Sequence, residues 1–357
     1  MSHTQKNSAD LFWVHYIRAI AAFGVVFVHV AADVITEWGS IPVSHWWFAN
    51  IFDSLTRGCV SLFIMVSGAL LLPVQEGVRD FFRKRFNRIL IPFLAWTVLY
   101  LFWKKAFYRP DLGLSQSVSM VLDGGVWFHM WFFYILAGMY LMAPVLRIFM
   151  AHATRAHVGY FLWLWFLCGS CVPFSEKFAR LLGYPGFHVG LPVAMAEGFI
   201  GYFILGAFLV TYAVQAWTAL ARVVWASCFL FCCLGTGWMT TRTGTFQDVF
   251  YDNLAPNIVL YCASFFVLVK FIVSSSEDKL PVFLKGFVID LSKASLGVYL
   301  IHPMIIDVLD KGRLGVAIKP SGGHPLIMIP AISVGIYFVS FFFVRFISKI
   351  PYLKRIV

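Results

Sequence analysis

"YIRAIAAFGVVFVH", from Tyr16 to His29, is the stretch on which the fold of this chain turns. It is greasy enough for hydrocarbon, yet it holds Arg18 and ends on His29. The apolar run around it covers residues 11–32. A membrane-crossing helix needs about 20 such residues. With Lys6 ahead of it and Val30-Ala31-Ala32 as a cleavage-like site, the run has the outline of a signal peptide. An arginine in the middle of the apolar core argues against that reading. The segment is read as a first transmembrane helix.

The rest of the chain has the same character. It is 60% hydrophobic and 13% charged, with a mean hydropathy of +0.80. Soluble domains are about 45–50% apolar and about 25% charged. Further apolar runs cover 51–73, 89–108, 127–147, 158–173, 199–214, 221–240, 253–273, 295–309 and 325–347. Hydrocarbon offers no water to an open backbone, so helices are the expected form. The sequence therefore predicts an all-α membrane protein, a polytopic bundle of about ten transmembrane helices. The run at 295–309, bounded by Lys293 and Asp310, reads as a half-span or a buried helix. The expected organisation is a cytoplasmic segment at 1–10, a transmembrane domain at 11–347 and a cytoplasmic tail at 348–357.

The net charge of +11 would suit nucleic acid. The basic residues, however, sit in short loops between apolar runs, as inner loops of membrane proteins do. Most of the 28 Lys and Arg residues fall on one side if both ends of the chain are cytoplasmic. The expected topology is N-in and C-in, with no nucleic-acid partner. The seven cysteines lie in apolar runs. Cys168-x-x-Cys171 has no second pair of ligands nearby, so packing is the better reading and neither a metal nor a disulfide framework is expected. No phosphate loop of the P-loop type, no G-x-S-x-G and no H-E-x-x-H occurs.

Ionisable groups inside spans mark function by default, because hydrocarbon penalises them. Here they are Arg18, His29, Arg57, His129, Glu197 and His302, with Asp33, Asp53 and Asp252 near span ends. Arg18 and His29 are separated by about 1100° of helix, roughly 20° past three turns, and by about 16 Å of rise. They share a face and point toward opposite mouths. Two unrelated snorkelling or packing groups would look the same. "RDFFRKRFNRILIPF", Arg79 to Phe93, places Arg83, Lys84, Arg85 and Arg88 before the third span. It fits an ordinary positive-inside anchor, or a phosphate clamp built from planar guanidinium donors. Ser67-Gly68 permits close helix packing. His129, Trp131 and Tyr134 put polar tips into the fourth span, and His302 stands directly before Pro303. The aromatic-rich outer loops 33–50, 109–126 and 174–198 fit an interfacial belt or a vestibule facing a sugar or lipid.

In order, Arg18-x10-His29, Ser67-Gly68, "RFNRILIP", "HMWFF" and "ASLGVYLIHP" resemble the acyltransferase-3 family of bacterial membrane O-acyltransferases. The nearest likeness is to the branch that acetylates cell-surface polysaccharides such as the enterobacterial common antigen. The resemblance runs from about residue 11 to 347. It implies a multi-pass protein of the bacterial inner membrane. Such a protein takes acetyl from cytoplasmic acetyl-CoA and places it on a hydroxyl of a cell-surface or lipid-linked glycan, without a metal. It makes Arg18 and His29 essential, Arg85 and Arg88 important, Ser67-Gly68 a packing or pore-lining pair, and His302 a recurrent late position. On this reading Arg83 and Lys84 assist Arg85, Arg88 and Arg18 with the donor phosphates. His29 is a general base or a transient acyl carrier, with Asp33 four residues on available to orient it. Ser67, His129, Trp131, Tyr134 and His302 are candidates for substrate or pore contacts. The competing reading is a transporter or exporter of a polysaccharide or lipid-linked sugar. The nearest acid ahead of Arg18 is Asp10, where relatives often carry one a few positions away.

Overall fold

The computed structural model describes residues 11–74, 76–184, 186–190 and 198–357. Glu197, one of the intramembrane candidates, and the segment 1–10 with Asp10 lie outside them. Among the described residues the regular structure is entirely helical, as an all-α polytopic membrane protein requires. Among the described residues eight helical stretches are long and apolar enough to cross a membrane: Phe12–Ile35, Val43–Leu71, Val78–Phe107, Trp131–His152, Arg155–Leu181, Trp217–Thr243, Val249–Lys279 and Pro325–Ile347. The apolar helix Ile200–Tyr212 is shorter, at 13 residues. The run at 295–309 is no isolated half-span. It belongs to a helix of 29 residues, Val282–Asp310, about 43 Å long at 1.5 Å per residue.

Helix α1 (Phe12–Ile35) is the hub. Sixteen of its 24 residues are buried, and it packs on α2 (Val43–Thr56), α3 (Cys59–Leu71), α12 (Pro256–Ser276), α13 (Val282–Asp310) and α14 (Pro325–Ile347). Its small residues allow this. A Cβ on Gly24 would lie 3.1 Å from the Cβ of Cys59. The most intimate helix pair is α3 with α10 (Ile200–Tyr212). A Cβ on Gly68 would fall 1.7 Å from the carbonyl oxygen of Phe203, and one on Gly206 would fall 1.9 Å from that of Met65. Gly68 is thus a backbone-contact residue, as small residues in membrane helices commonly are. The outer faces of the bundle carry exposed Phe102, Leu141, Val223, Leu234 and Phe342, which suits contact with lipid tails.

Two boundaries differ from the sequence reading in ways that matter. The apolar run starting at 51 puts Asp53 near a span end. The helical stretch runs from Val43 to Leu71, so Asp53, in the last turn of α2, sits well inside it and is fully buried. It survives there by binding Arg57 one turn later, through both Nε and Nη2. The Arg57 guanidinium also lies 4.4 Å from the centre of the Tyr251 ring. Removing one partner of a buried ion pair leaves the other uncompensated, at about 3–5 kcal/mol. Asp53→Asn is therefore expected to lower stability by about that amount, read as a fall in the melting temperature of the purified protein in detergent. An unchanged melting temperature would remove the pair from the account.

The second difference is at His129. The apolar run 127–147 takes it into the fourth span, but α7 (Trp131–His152) starts two residues later. Trp127 to Met130 form a turn, with Met130 N–H donating to the Trp127 carbonyl at 3.0 Å. The turn is held from outside, since the Tyr299 hydroxyl donates to the His129 carbonyl. It brings the His129 ring into the middle of the bundle.

Candidate functional site

Three histidines from three separate segments meet in the interior. His29 comes from α1, His129 from the turn before α7, and His302 from α13. The His29 and His302 rings stack at 5.4 Å with 20° between planes. His129 meets His302 edge-on at 5.8 Å and Tyr299 at 5.3 Å. Phe128 covers the other side of His29, its ring centre 4.7 Å away.

The local chain explains the chemistry available there. His302 is fully buried, and its Nδ1 lies 3.0 Å from the Val298 carbonyl one turn back. A carbonyl only accepts, so Nδ1 carries the proton and Nε2 carries the lone pair. Among the described residues that Nε2 has no hydrogen-bond partner, and neither ring nitrogen of His129 has one. His29 is half-buried. The helix continues past Asp33, as tautomer fixing by that residue would need, yet no hydrogen bond joins the two. The neighbours of His29 are His302 and Phe128. Buried imidazoles with free lone pairs are equipped to take up a proton or to attack a carbonyl.

A cavity opens on each side of this cluster. The first, of about 870 Å³, is lined by Arg18, Lys84, Arg85, Arg88 and Lys293, with Glu76 as its one acid among the described residues. Arg88 stands in a π-helical turn, Phe86–Leu90, between α4 (Val78–Arg85) and α5 (Ile91–Phe107). Such turns often mark functional positions in helices. Arg85 is held by Glu76, which also accepts from Lys84 at 2.8 Å and from Arg147 at 3.4 Å. Arg85 and Arg147 sit 4.6 and 4.5 Å from the Phe81 ring centre. Burial pushes the Glu76 carboxyl up, but the hydrogen bond from Lys84, the charge of Arg85 and the hydrogen bond from Arg147 outweigh it and hold the group below the usual carboxylate range. Glu76 therefore stays ionised, and its ion pairs persist, until the pH falls below that range. Arg18, Arg88 and Lys293 are among the cations of this cavity that form no ion pair among the described residues, so the cavity carries surplus positive charge.

The second cavity, of about 790 Å³, is lined by Asp33, Tyr108, Trp127, Phe128, Asp307 and Asp310, with Lys104, Arg109 and Lys311. Asp307 is fixed by Trp103 Nε1 at 2.9 Å, Arg313 Nε at 2.8 Å and the Tyr108 hydroxyl. The two cavities approach the histidines from opposite sides. Tyr299 lines the first and packs on His129, and Phe132, on the same cavity wall, packs on Tyr299. Phe128 and Pro303 line the second beside His29 and His302. Arg18 thus lines the basic cavity, while His29 lines neither cavity and meets the second one through the Phe128 ring.

The remaining sequence candidates divide. Ser67 lines the first cavity, its hydroxyl donating to the Phe63 carbonyl at 2.8 Å. Arg83 is exposed and lines neither cavity. Trp131 packs on Phe199 at 5.9 Å, and Tyr134 packs on Phe93 while donating to the Val121 carbonyl. Both are outside the two cavities. Sequence reasoning missed Glu76, Lys293 and Tyr299. Tyr299 carried a signal, since it lies one turn before His302 on the same helix face. Glu76 carried none, because only the fold brings Arg147 to it.

Residues 11–348 match the sequence profile of the acyltransferase-3 family, described as an acyltransferase domain. No curated protein and no solved structure matches the chain.

Proposed function

Because this chain belongs to the acyltransferase-3 family, we propose that it moves acetyl from acetyl-CoA, bound in the basic cavity, to a hydroxyl of a glycan held in the aromatic cavity of mixed charge. The observation that carries this reading is the histidine cluster packed against Tyr299 of a strongly basic cavity and Phe128 of an aromatic cavity of mixed charge. Arg18, Arg85 and Arg88, with Lys84 at the rim, suit the donor's phosphates. Carboxylates beside the flat faces of Trp127 and Phe128 suit a sugar, whose hydroxyls donate and whose ring stacks. The positive-inside rule assigns the basic cavity to the cytoplasm. The chain is then N-in and C-in in a bacterial inner membrane, with the short α10 and the long α13 completing ten crossings.

In the reaction His29 removes the acceptor hydroxyl proton as the oxygen attacks the thioester carbonyl, and CoA leaves as the thiol. In a two-step variant the His29 nitrogen takes the acetyl first and passes it on. Neither route calls on a metal. Ten helices with intramembrane charges also suit an exporter, and purified protein given labelled acetyl-CoA separates the two. The transferase releases CoA and moves label to acceptor, and an exporter does neither.

Glu76 competes with phosphate for Arg85 and Lys84. Glu76→Gln is expected to tighten donor binding by roughly fivefold, the worth of about one modest ion pair, as measured by calorimetric titration. Weaker binding would show that Glu76 instead organises the arginines.

A further inference from the structure

The rim of the basic cavity is completed by a segment that the donor reading does not use. After α14 the chain turns back on itself. Tyr352 is the one non-glycine residue with positive φ among the described residues, at 71°. L residues adopt that conformation only where their surroundings hold it. Leu353–Arg355 then form a 3-10 turn. The holding contact is visible. The indole Nε1 of Trp96, 3% exposed, donates to the Ile356 carbonyl at 2.8 Å. Val357 packs, half-buried, against the core. Lys354 and Arg355 are thereby placed on the wall of the same cavity as Arg18 and Arg88. Neither forms an ion pair among the described residues, and both are exposed. A loose basic tail serving only as a topology anchor would need neither the strained turn nor the buried indole.

We propose that this turn is a strap across the donor cavity, and that Lys354 and Arg355 bind the ribose phosphate of a CoA-type thioester. The proposal rests on the donor reading above. A thioester that must approach His29 enters with its acyl end first. Its nucleotide end is then left at the rim, where the exposed cations are, while Arg18 lies deeper and is half-buried. CoA carries a phosphate on its ribose in addition to its pyrophosphate, so two groups of cations can serve two phosphate groups.

The test compares CoA with 3′-dephospho-CoA, which lacks only the ribose phosphate. Binding of each is measured by calorimetry on the purified full chain and on Lys354→Ala/Arg355→Ala. The wild type is expected to prefer CoA by about tenfold or more, the worth of one charge-assisted contact. The double variant is expected to lose that preference and to bind the dephospho ligand as the wild type does. The charge-conserving exchange Lys354→Arg/Arg355→Lys should keep most of it. An unchanged preference in the alanine variant, or equal weakening of both ligands, would overturn the strap and leave the donor reading standing. Failure of the wild type to bind either ligand would overturn the donor reading and the strap with it.

Discussion

Replacing His29 with alanine is expected to reduce acyl transfer by about 10²–10⁴-fold, the usual worth of a positioned general base. The protein should remain folded and should still bind donor. The reason for both halves is positional. His29 is half-buried and lines no part of the basic cavity, and its ring makes stacking contacts but no hydrogen bond that the fold depends on. Donor affinity and melting temperature should therefore hold while turnover collapses. His302 is the obvious rival, since its Nε2 is a buried lone pair without a partner among the described residues. Its Nδ1–H is already committed to Val298 and its ring is the stacking surface for His29, which points to a positioning role. His302→Phe keeps a flat ring at that place and is expected to retain more activity than His29→Ala. The opposite ranking would transfer the chemical role to His302. If the acyl-histidine route operates, acetyl should be found on His29 by mass spectrometry when donor is supplied without acceptor.

The second large effect concerns the donor. Arg85→Ala with Arg88→Ala is expected to weaken acetyl-CoA binding by about 100-fold, since charge-assisted contacts are worth about 1.5–3 kcal/mol each. Arg88 should matter more than Arg85, because Glu76 already occupies Arg85 whereas Arg88 forms no ion pair among the described residues. The loss should shrink at high salt, where exposed charges are screened. Calorimetry on the folded double variant reads it. An unchanged affinity would return both residues to the role of topology anchors.

Much of this was legible because membrane helices follow simple rules. The apolar runs marked the helices, and helical periodicity put Arg18 and His29 on one face toward opposite ends; Arg18 lines the basic cavity and His29 packs against Phe128 and His302. Three of the basic residues before the third span, Lys84, Arg85 and Arg88, line one cavity together with Arg18. Hydropathy windows were weaker at polar interruptions. They started the second span at 51 and so put Asp53 near its edge, although the helix begins at Val43 and buries it against Arg57. They also ran the fourth span through His129, where a tertiary hydrogen bond from Tyr299 holds a turn instead. The histidine cluster could not be read at all, because its members lie far apart in sequence and meet only through the packing of α1 and α13.

The central claim is that one mouth of the bundle takes the donor and that His29 works beyond it. Sealed vesicles containing the protein in a single orientation, given labelled acetyl-CoA at one face at a time, test it most directly. Release of CoA and loss of label from the donor are expected only when it is supplied at the face carrying Arg85, Arg88 and the C-terminal turn, with the label recovered on glycan acceptor at the other face. Equal activity from both faces, activity only from the face carrying Asp33 and Trp127, or no CoA release from either would contradict the account.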